Sequence, residues 1–351
     1  ANSNTAIVSV VQPATVVTDP ASKSIISGQS TTLSVVASGS TPLNYQWYQG
    51  ISGVTSNPVG TNSASDATPV QTETTNYWVR MTNAANPGGD NSATATITVN
   101  SPAAITTQPA AVTINSGQTT TLNVTASGTA PLTYQWYEGA SGVTTTPVGT
   151  NSPSFTTPVL TSDKSYWVKV TNVANASGAL SNSVLVSVNQ PAAISLSPAS
   201  TAIVSGNPVS LSVDATGTAP IHYQWYEGAS GDTAHPVGTD SADFTSASLS
   251  SSTSYWVRVS NMANLAGADS STAQVTVNDP VVITQQPLPA TLNSGGTADL
   301  TLTATGTQPI TYQWYQGESG DTSTPVGTNS NQFSTPSLTV STTYWARVIN
   351  V

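Results

Sequence analysis

Tryptophan occurs eight times in this chain, and the eight fall on two positions of an 89-residue period. Four sit in the tetrapeptide Tyr-Gln-Trp-Tyr, as Trp47, Trp136, Trp225 and Trp314. The other four follow a tyrosine, as Trp78, Trp167, Trp256 and Trp345. Gly28, Gly117, Gly206 and Gly295 keep the same register, as do Pro20, Pro109, Pro198 and Pro287. No net insertion or deletion separates the four copies, so the chain is a tandem array whose unit is one small domain.

Within a unit the hydrophobic period is two. Leu33, Val35 and Ala37 alternate with polar residues, as do Tyr77, Val79 and Met81, and again Ala95, Ile97 and Val99. Glycine- and proline-containing turns separate these runs, the Gly39–Pro42 stretch among them. Several short alternating strands in one unit predict a two-sheet antiparallel sandwich. The expected fold class is therefore all-β: four tandem sandwiches in an elongated rod, with residues 15–100, 104–189, 193–278 and 282–351 as the four units. The links, such as Asn100-Ser101-Pro102 and Asn278-Asp279-Pro280, are short and contain proline, which leaves little slack.

The spacing Leu33-x-Val35-x-Ala37-x-Gly39, then Trp47, then Tyr77-x-Val79-x-Met81-x-Asn83 resembles the immunoglobulin-like superfamily in its I-set-like form. It is similar to the tandem repeats of microbial extracellular and surface proteins. The resemblance implies that Trp47 lies on strand C and that Tyr77 is the tyrosine corner on strand F. It also places the two family cysteines at Val35/Val79, Val124/Val168, Val213/Val257 and Leu302/Ala346. The chain has no cysteine. Each unit forgoes about 2–4 kcal/mol of cross-link stabilisation, and aliphatic packing around the indole must replace it.

Residues 2–10 match residues 91–99, the last strand, G, of the first unit. The segment 1–12 thus reads as a strand G with no unit before it, while unit four runs only to a residue just after strand F. Two readings stand. In one, Ala6, Val8 and Val10 of one copy enter unit four of the next beside Tyr344, Ala346 and Val348, giving a head-to-tail homopolymer by donor-strand complementation. In the other, the 351 residues are a window of a longer continuous array.

Alternation also assigns an outer face to strands C and F. With Trp47, Tyr77 and Val79 pointing inward, Tyr48, Trp78 and Arg80 point outward. The same set recurs as Tyr137, Trp167 and Lys169; Tyr226, Trp256 and Arg258; and Tyr315, Trp345 and Arg347. This is expected to be an exposed aromatic and basic ladder. It reads either as a local cation–π stack shielding strand F or as a surface for glycans or cell-surface partners.

Composition excludes other classes. Six Lys and Arg against sixteen Asp and Glu argue against nucleic acid and against an anionic membrane surface. No apolar run reaches the length of a membrane span. The two histidines, His222 and His235, have no counterparts in the other units and read as surface variation, near the scattered carboxylates Asp232, Asp240 and Asp243. No triad, metal set or cofactor motif recurs, so no catalytic, cofactor or metal residue is assigned and no enzyme activity is expected. Asn123 and Asn175 stand in glycosylation triplets. The expected role is a structural segment of an extracellular or cell-surface fibre or stalk, with an adhesin or glycan-binding repeat region as the alternative.

Overall fold

The computed structural model describes residues 1–351 and is built of β-strands without a helix. Two compact units, Ala1–Val188 and Asn189–Val351, each contain two of the repeats. In the first repeat the strands are β1 (Thr15–Thr18), β2 (Lys23–Ile26), β3 (Thr32–Ser34), β4 (Val36–Ser38), β5 (Asn44–Gln49), β6 (Pro58–Val59), β7 (Ser65–Ala67), β8 (Thr75–Asn83), β9 (Asn86–Asn91) and β10 (Ala95–Asn100). One sheet runs β2-β10-β8-β5-β6, and β9 pairs with β8. The opposing layer consists of β1 with β4 and β3 with β7. In superfamily terms β5 is strand C, β8 is F and β10 is G; β2 lies parallel to β10.

The run Leu33-Val35-Ala37, uninterrupted in the sequence pattern, breaks at Val35 into β3 and β4. β3 pairs with β7 and β4 with β1, and between them the Val35 amide bonds the Ala64 carbonyl. Val35 still faces inward, so the break changes hydrogen-bond partner and not side-chain direction.

The core is the one the alternation predicts. Leu33, Trp47, Val79, Met81, Ala95 and Ile97 are fully buried in the first repeat, with Val35 and Tyr77 close to it. Val124 and Val168, and likewise Val213 and Val257, pack with the indole of their own repeat at the positions where the family has cysteine. Each core indole donates to a carbonyl 16 residues on: Trp47 to Ser63 at 2.9 Å, Trp136 to Ser152 at 3.0 Å, Trp225 to Ser241 at 2.9 Å and Trp314 to Ser330 at 2.9 Å.

One core position differs between repeats. Phe155, Phe244 and Phe333 stack on their indoles with centroids 5.8, 5.4 and 5.7 Å apart. The first repeat has Asp66 there, buried, and burial raises its carboxyl above the ordinary range. The corner tyrosine diverges as well. The Tyr77 hydroxyl accepts from the Gln71 side chain at 2.9 Å, whereas in the second repeat Leu160 occupies the Gln71 position and the buried Tyr166 hydroxyl has no partner.

An asparagine, buried in the first three repeats and half-buried in the fourth, ties each repeat to the link before it. Asn83 accepts from the amides of Ala14 and Asn86 and donates to the carbonyls of Gln12 and Ser40. Asn172, Asn261 and Asn350 hold the corresponding link and turn in the other repeats. One amide side chain thereby satisfies backbone groups of segments far apart in sequence. Asn172→Ala leaves those buried groups unpaired and should cost about 3 kcal/mol, read as a lowered denaturant midpoint; an unchanged midpoint contradicts the role.

Asp66 generates a second prediction. An acid whose folded-state pKa is raised binds its proton more tightly in the folded chain. Its unfavourable contribution is absent below about pH 4, the ordinary carboxylate range, and grows as pH rises through the folded-state value. Asp66→Phe should therefore stabilise the first repeat, by a margin that widens with pH across that window. Melting curves of the two proteins that stay parallel at every pH would count against it.

Candidate functional site

One feature outside the core is a candidate: the outer face of the β5–β8 sheet, repeated four times. On the outer face every residue of the Tyr-Gln-Trp-Tyr motif has its own task. Tyr45 packs against the core from one side and Trp47 fills it. The Gln46 amide donates to the carbonyls of Trp47 and Val59 at 3.0 Å each, which fastens the short edge strand β6. Gln135, Gln224 and Gln313 do the same. Tyr48 stacks on Trp78 with centroids 4.6 Å apart, and the pairs Tyr137–Trp167, Tyr226–Trp256 and Tyr315–Trp345 repeat this at 4.7, 4.6 and 4.9 Å.

The expectation of an exposed aromatic ladder is corrected here. Trp78, Trp167 and Trp256 are fully buried, and Tyr48, Tyr137 and Tyr226 are half-buried. They do lie on the outer face, but residues 50–57 fold over them. The Trp78 indole donates to the Val54 carbonyl at 3.0 Å. Beyond the indole the Ser52 hydroxyl donates to the Ser92 carbonyl at 2.6 Å, and the Ser52 amide to the Thr94 hydroxyl at 2.8 Å. In the third repeat Ser230 makes the same two bonds, to Ser270 and Thr272, and in the second Ser141 bonds Ser181. This loop spans from β5 across β8 to the residues leading into the last strand, and the indole is sealed beneath it.

The cations complete a local stack. Arg80 lies 5.5 Å from the Trp78 ring and Arg258 5.4 Å from the Trp256 ring. Their guanidinium groups also reach the following hairpin: Arg80 donates to Asn91, and Arg258 to both oxygens of Asp269, an ion pair that raises the arginine's pKa. Lys169 is half-buried and Arg347 exposed. Beside the stack a shallow polar cleft recurs. It is lined by Asn44, Gln46, Asn62, Arg80 and Thr82 in the first repeat, by His222, Gln224, Asp240, Arg258 and Ser260 in the third, and by Thr311, Gln313, Asn329, Arg347 and Ile349 in the fourth. His222 is a paired replacement as well as a surface residue: its Nδ1 lies 2.8 Å from Asp240, in the place where Asn62 donates to Asn44. The histidine contact holds the Asp240 carboxyl below its usual range. His235 is exposed, and Asn123 points outward. Asn175 instead caps its hairpin, accepting from Gly178 and Ser177.

Residues 1–351 cover the fourth repeat through strand F. In the fourth repeat the sheet has only the Pro325–Val326, Thr311–Gln316 and Tyr344–Ile349 strands. Within residues 1–351 nothing pairs with the free side of Tyr344–Ile349, and residues 290–293, the counterpart of β2, form no strand. Tyr344, Ala346, Val348 and Trp345 are half-buried here, while their equivalents in the first repeat are buried. A groove lined by Leu288, Leu292, Leu300, Leu338 and Tyr344 opens onto the core. Residues 1–11 form no strand, and Ile7, Val8 and Val10 are 88, 88 and 78% exposed.

This geometry defines a tandem array of immunoglobulin-like sandwiches without disulfides. The chain belongs to the CHU_C-associated Ig-like domain family, whose model matches residues 102–189, 191–279 and 280–351. These repeat domains are typically structural or adhesive modules rather than catalysts. Among solved structures the chain is similar to titin domains I67–I69 in an E-to-A variant, at 16% identity and a TM-score of 0.55, over 76% of this chain and 99% of that one. A second I67–I69 fragment of titin gives 16% and 0.54 over 76% and 98%. At this identity the likeness shows the fold alone.

The covering loop yields a prediction. Ser230→Ala removes the hydroxyl that pins the loop to the Ser270 carbonyl. It should cost about 1 kcal/mol and make Trp256 accessible to acrylamide, against no quenchable signal from that residue in the parent. Unchanged quenching would show that the loop holds without this bond.

Proposed function

We propose that the chain is a structural segment of an extracellular or cell-surface fibre or stalk. The observation that carries this reading is the recurrence of one disulfide-free sandwich at a strict 89-residue period, joined by short proline-containing links, with the early strand β2 held parallel to the last strand β10. Near-identical copies in strict register suit a structural array, in which every unit does the same work. The small number of charges and the Ser- and Thr-rich surface suit an extracellular setting.

A second reading rests on the recurrent cleft: the array presents the same polar, cation-bearing site several times and binds glycans of a surface partner through it. Avidity across repeats would then supply the affinity that one shallow cleft lacks. Failure of the chain to bind any member of a glycan array removes this reading.

Pulled by its ends in a single-molecule force experiment, the chain should unfold in separate, evenly spaced force peaks, each releasing about one 89-residue repeat. Extension without such peaks overturns the structural reading.

A further inference from the structure

On the outer face of the first repeat three strands contribute to one surface. In register, Gln46 of β5 lies opposite Arg80 of β8, and Arg80 opposite Asn91 of β9. The Arg80 guanidinium is held from two sides: it lies over the Trp78 ring, and its Nε donates to Asn91 at 2.9 Å. The hairpin presses on its stem as well. A Cβ on Gly89 would meet the Arg80 Cγ at 2.8 Å, so the close approach needs glycine there.

This arginine has no carboxylate beside it. Neither Nη atom has an acceptor within the chain, and Asp90, next to Asn91, is turned to the Val16 amide at 2.8 Å. Its neighbours in the cleft, Asn44, Gln46, Asn62 and Thr82, are uncharged. Two of these are fastened: Gln46 to the carbonyls of Trp47 and Val59, and Asn62 to the Tyr45 amide and the Asn44 side chain. The cleft therefore presents a positioned cation among fixed amides before any ligand arrives.

The other complete repeats differ at this point. In the third, Asp269 replaces Asn91 and takes both Nε and Nη2 of Arg258, at 2.6 and 2.8 Å, which neutralises the arginine. Asp240 replaces Asn62 and adds a second acid to that cleft. In the second, Leu180 stands at the Asn91 position, and Lys169 offers a point charge in place of a planar fork.

Resting on the glycan reading given above and narrowing it, we propose that the cleft of the first repeat takes the carboxylate of an acidic sugar, a uronate or a sialate. The two carboxylate oxygens accept from the Arg80 Nη atoms in the fork geometry that suits a planar anion. Sugar hydroxyls meet the Asn44 Nδ2 and the Gln46 Oε1, which have no partner within the chain. The sugar ring packs along Tyr45 and Tyr48, both half-buried at the cleft. The excess of acids elsewhere in the chain opposes this little, because exposed charges more than about 8–10 Å away are screened at physiological salt.

The test uses the full chain bearing Arg347→Gln, which removes the cation of the fourth cleft. It is applied to an array of tetragalacturonate, sialyllactose, the methyl ester of each, galactotetraose and lactose. An acid should be retained, and the esters and neutral sugars should not; which acid is retained separates uronate from sialate. Asn91→Asp builds into the first repeat the ion pair that the third already folds with. It should weaken retention of the acid at least tenfold, in keeping with the loss of a charge-assisted pair. A smaller loss, or esters and neutral sugars retained alongside or in place of the acids, overturns the acid preference while the glycan reading stands. Retention of nothing on the array overturns both.

Discussion

Each sandwich is organised around one indole whose N–H is satisfied inside the core. With no cysteine to link the two sheets, the ring must span the gap between them, and its single polar atom must find a partner there. The carbonyl 16 residues downstream supplies it in all four repeats at 2.9–3.0 Å. That bond fixes the ring's rotation, and the rotation fixes which aliphatic residues close around it. The family's cysteine positions become packing positions: Val35 and Val79 touch the ring they would otherwise have bridged beside. The Phe on the opposing layer widens the stack in three repeats, and the replacement by Asp66 in the first marks the one place where this arrangement is relaxed.

The last strand is the second element on which much converges. Its inward face closes the core, its backbone joins β2 to β8, and the residues leading into it anchor the loop that crosses the outer face. Where residues 1–351 include no such strand, in the fourth repeat, the buried core is smaller, residues 290–293 form no strand and Trp345 is half-buried.

The repeat, the strands and the core were legible in the sequence because they depend on periodicity, and eight tryptophans in strict register make the period plain. The burial of Trp78 was not. Alternation states to which face a side chain points, but not whether a loop later lies on that face. The signal was present in the recurrence of Gly50, Ser52 and Gly53 in each copy, which reads as an ordinary turn until Ser52 is seen to bond across the sheet. Asn83 stood in the motif, but its role was not legible for a similar reason: an asparagine before a hairpin is expected to serve the hairpin, and its bonds to Gln12 and Ser40 depend on long-range closure. Asp66 was visible as a departure from Phe in the other copies, yet only the packed core shows that the carboxyl is inside.

The parallel pairing of β2 with β10 carries a mechanical consequence. In the first repeat Lys23 through Ile26 lie beside Ile97 through Asn100, and in the third Thr201 through Val204 lie beside Val275 through Asn278. Tension on a repeat draws its early strand toward the amino end and its late strand toward the carboxyl end. For parallel neighbours those directions slide one ladder along the other, so the bonds are strained in shear and must yield together. An antiparallel pair pulled from its open end would unzip bond by bond. The strand order thus suits these sandwiches to bear load along the chain.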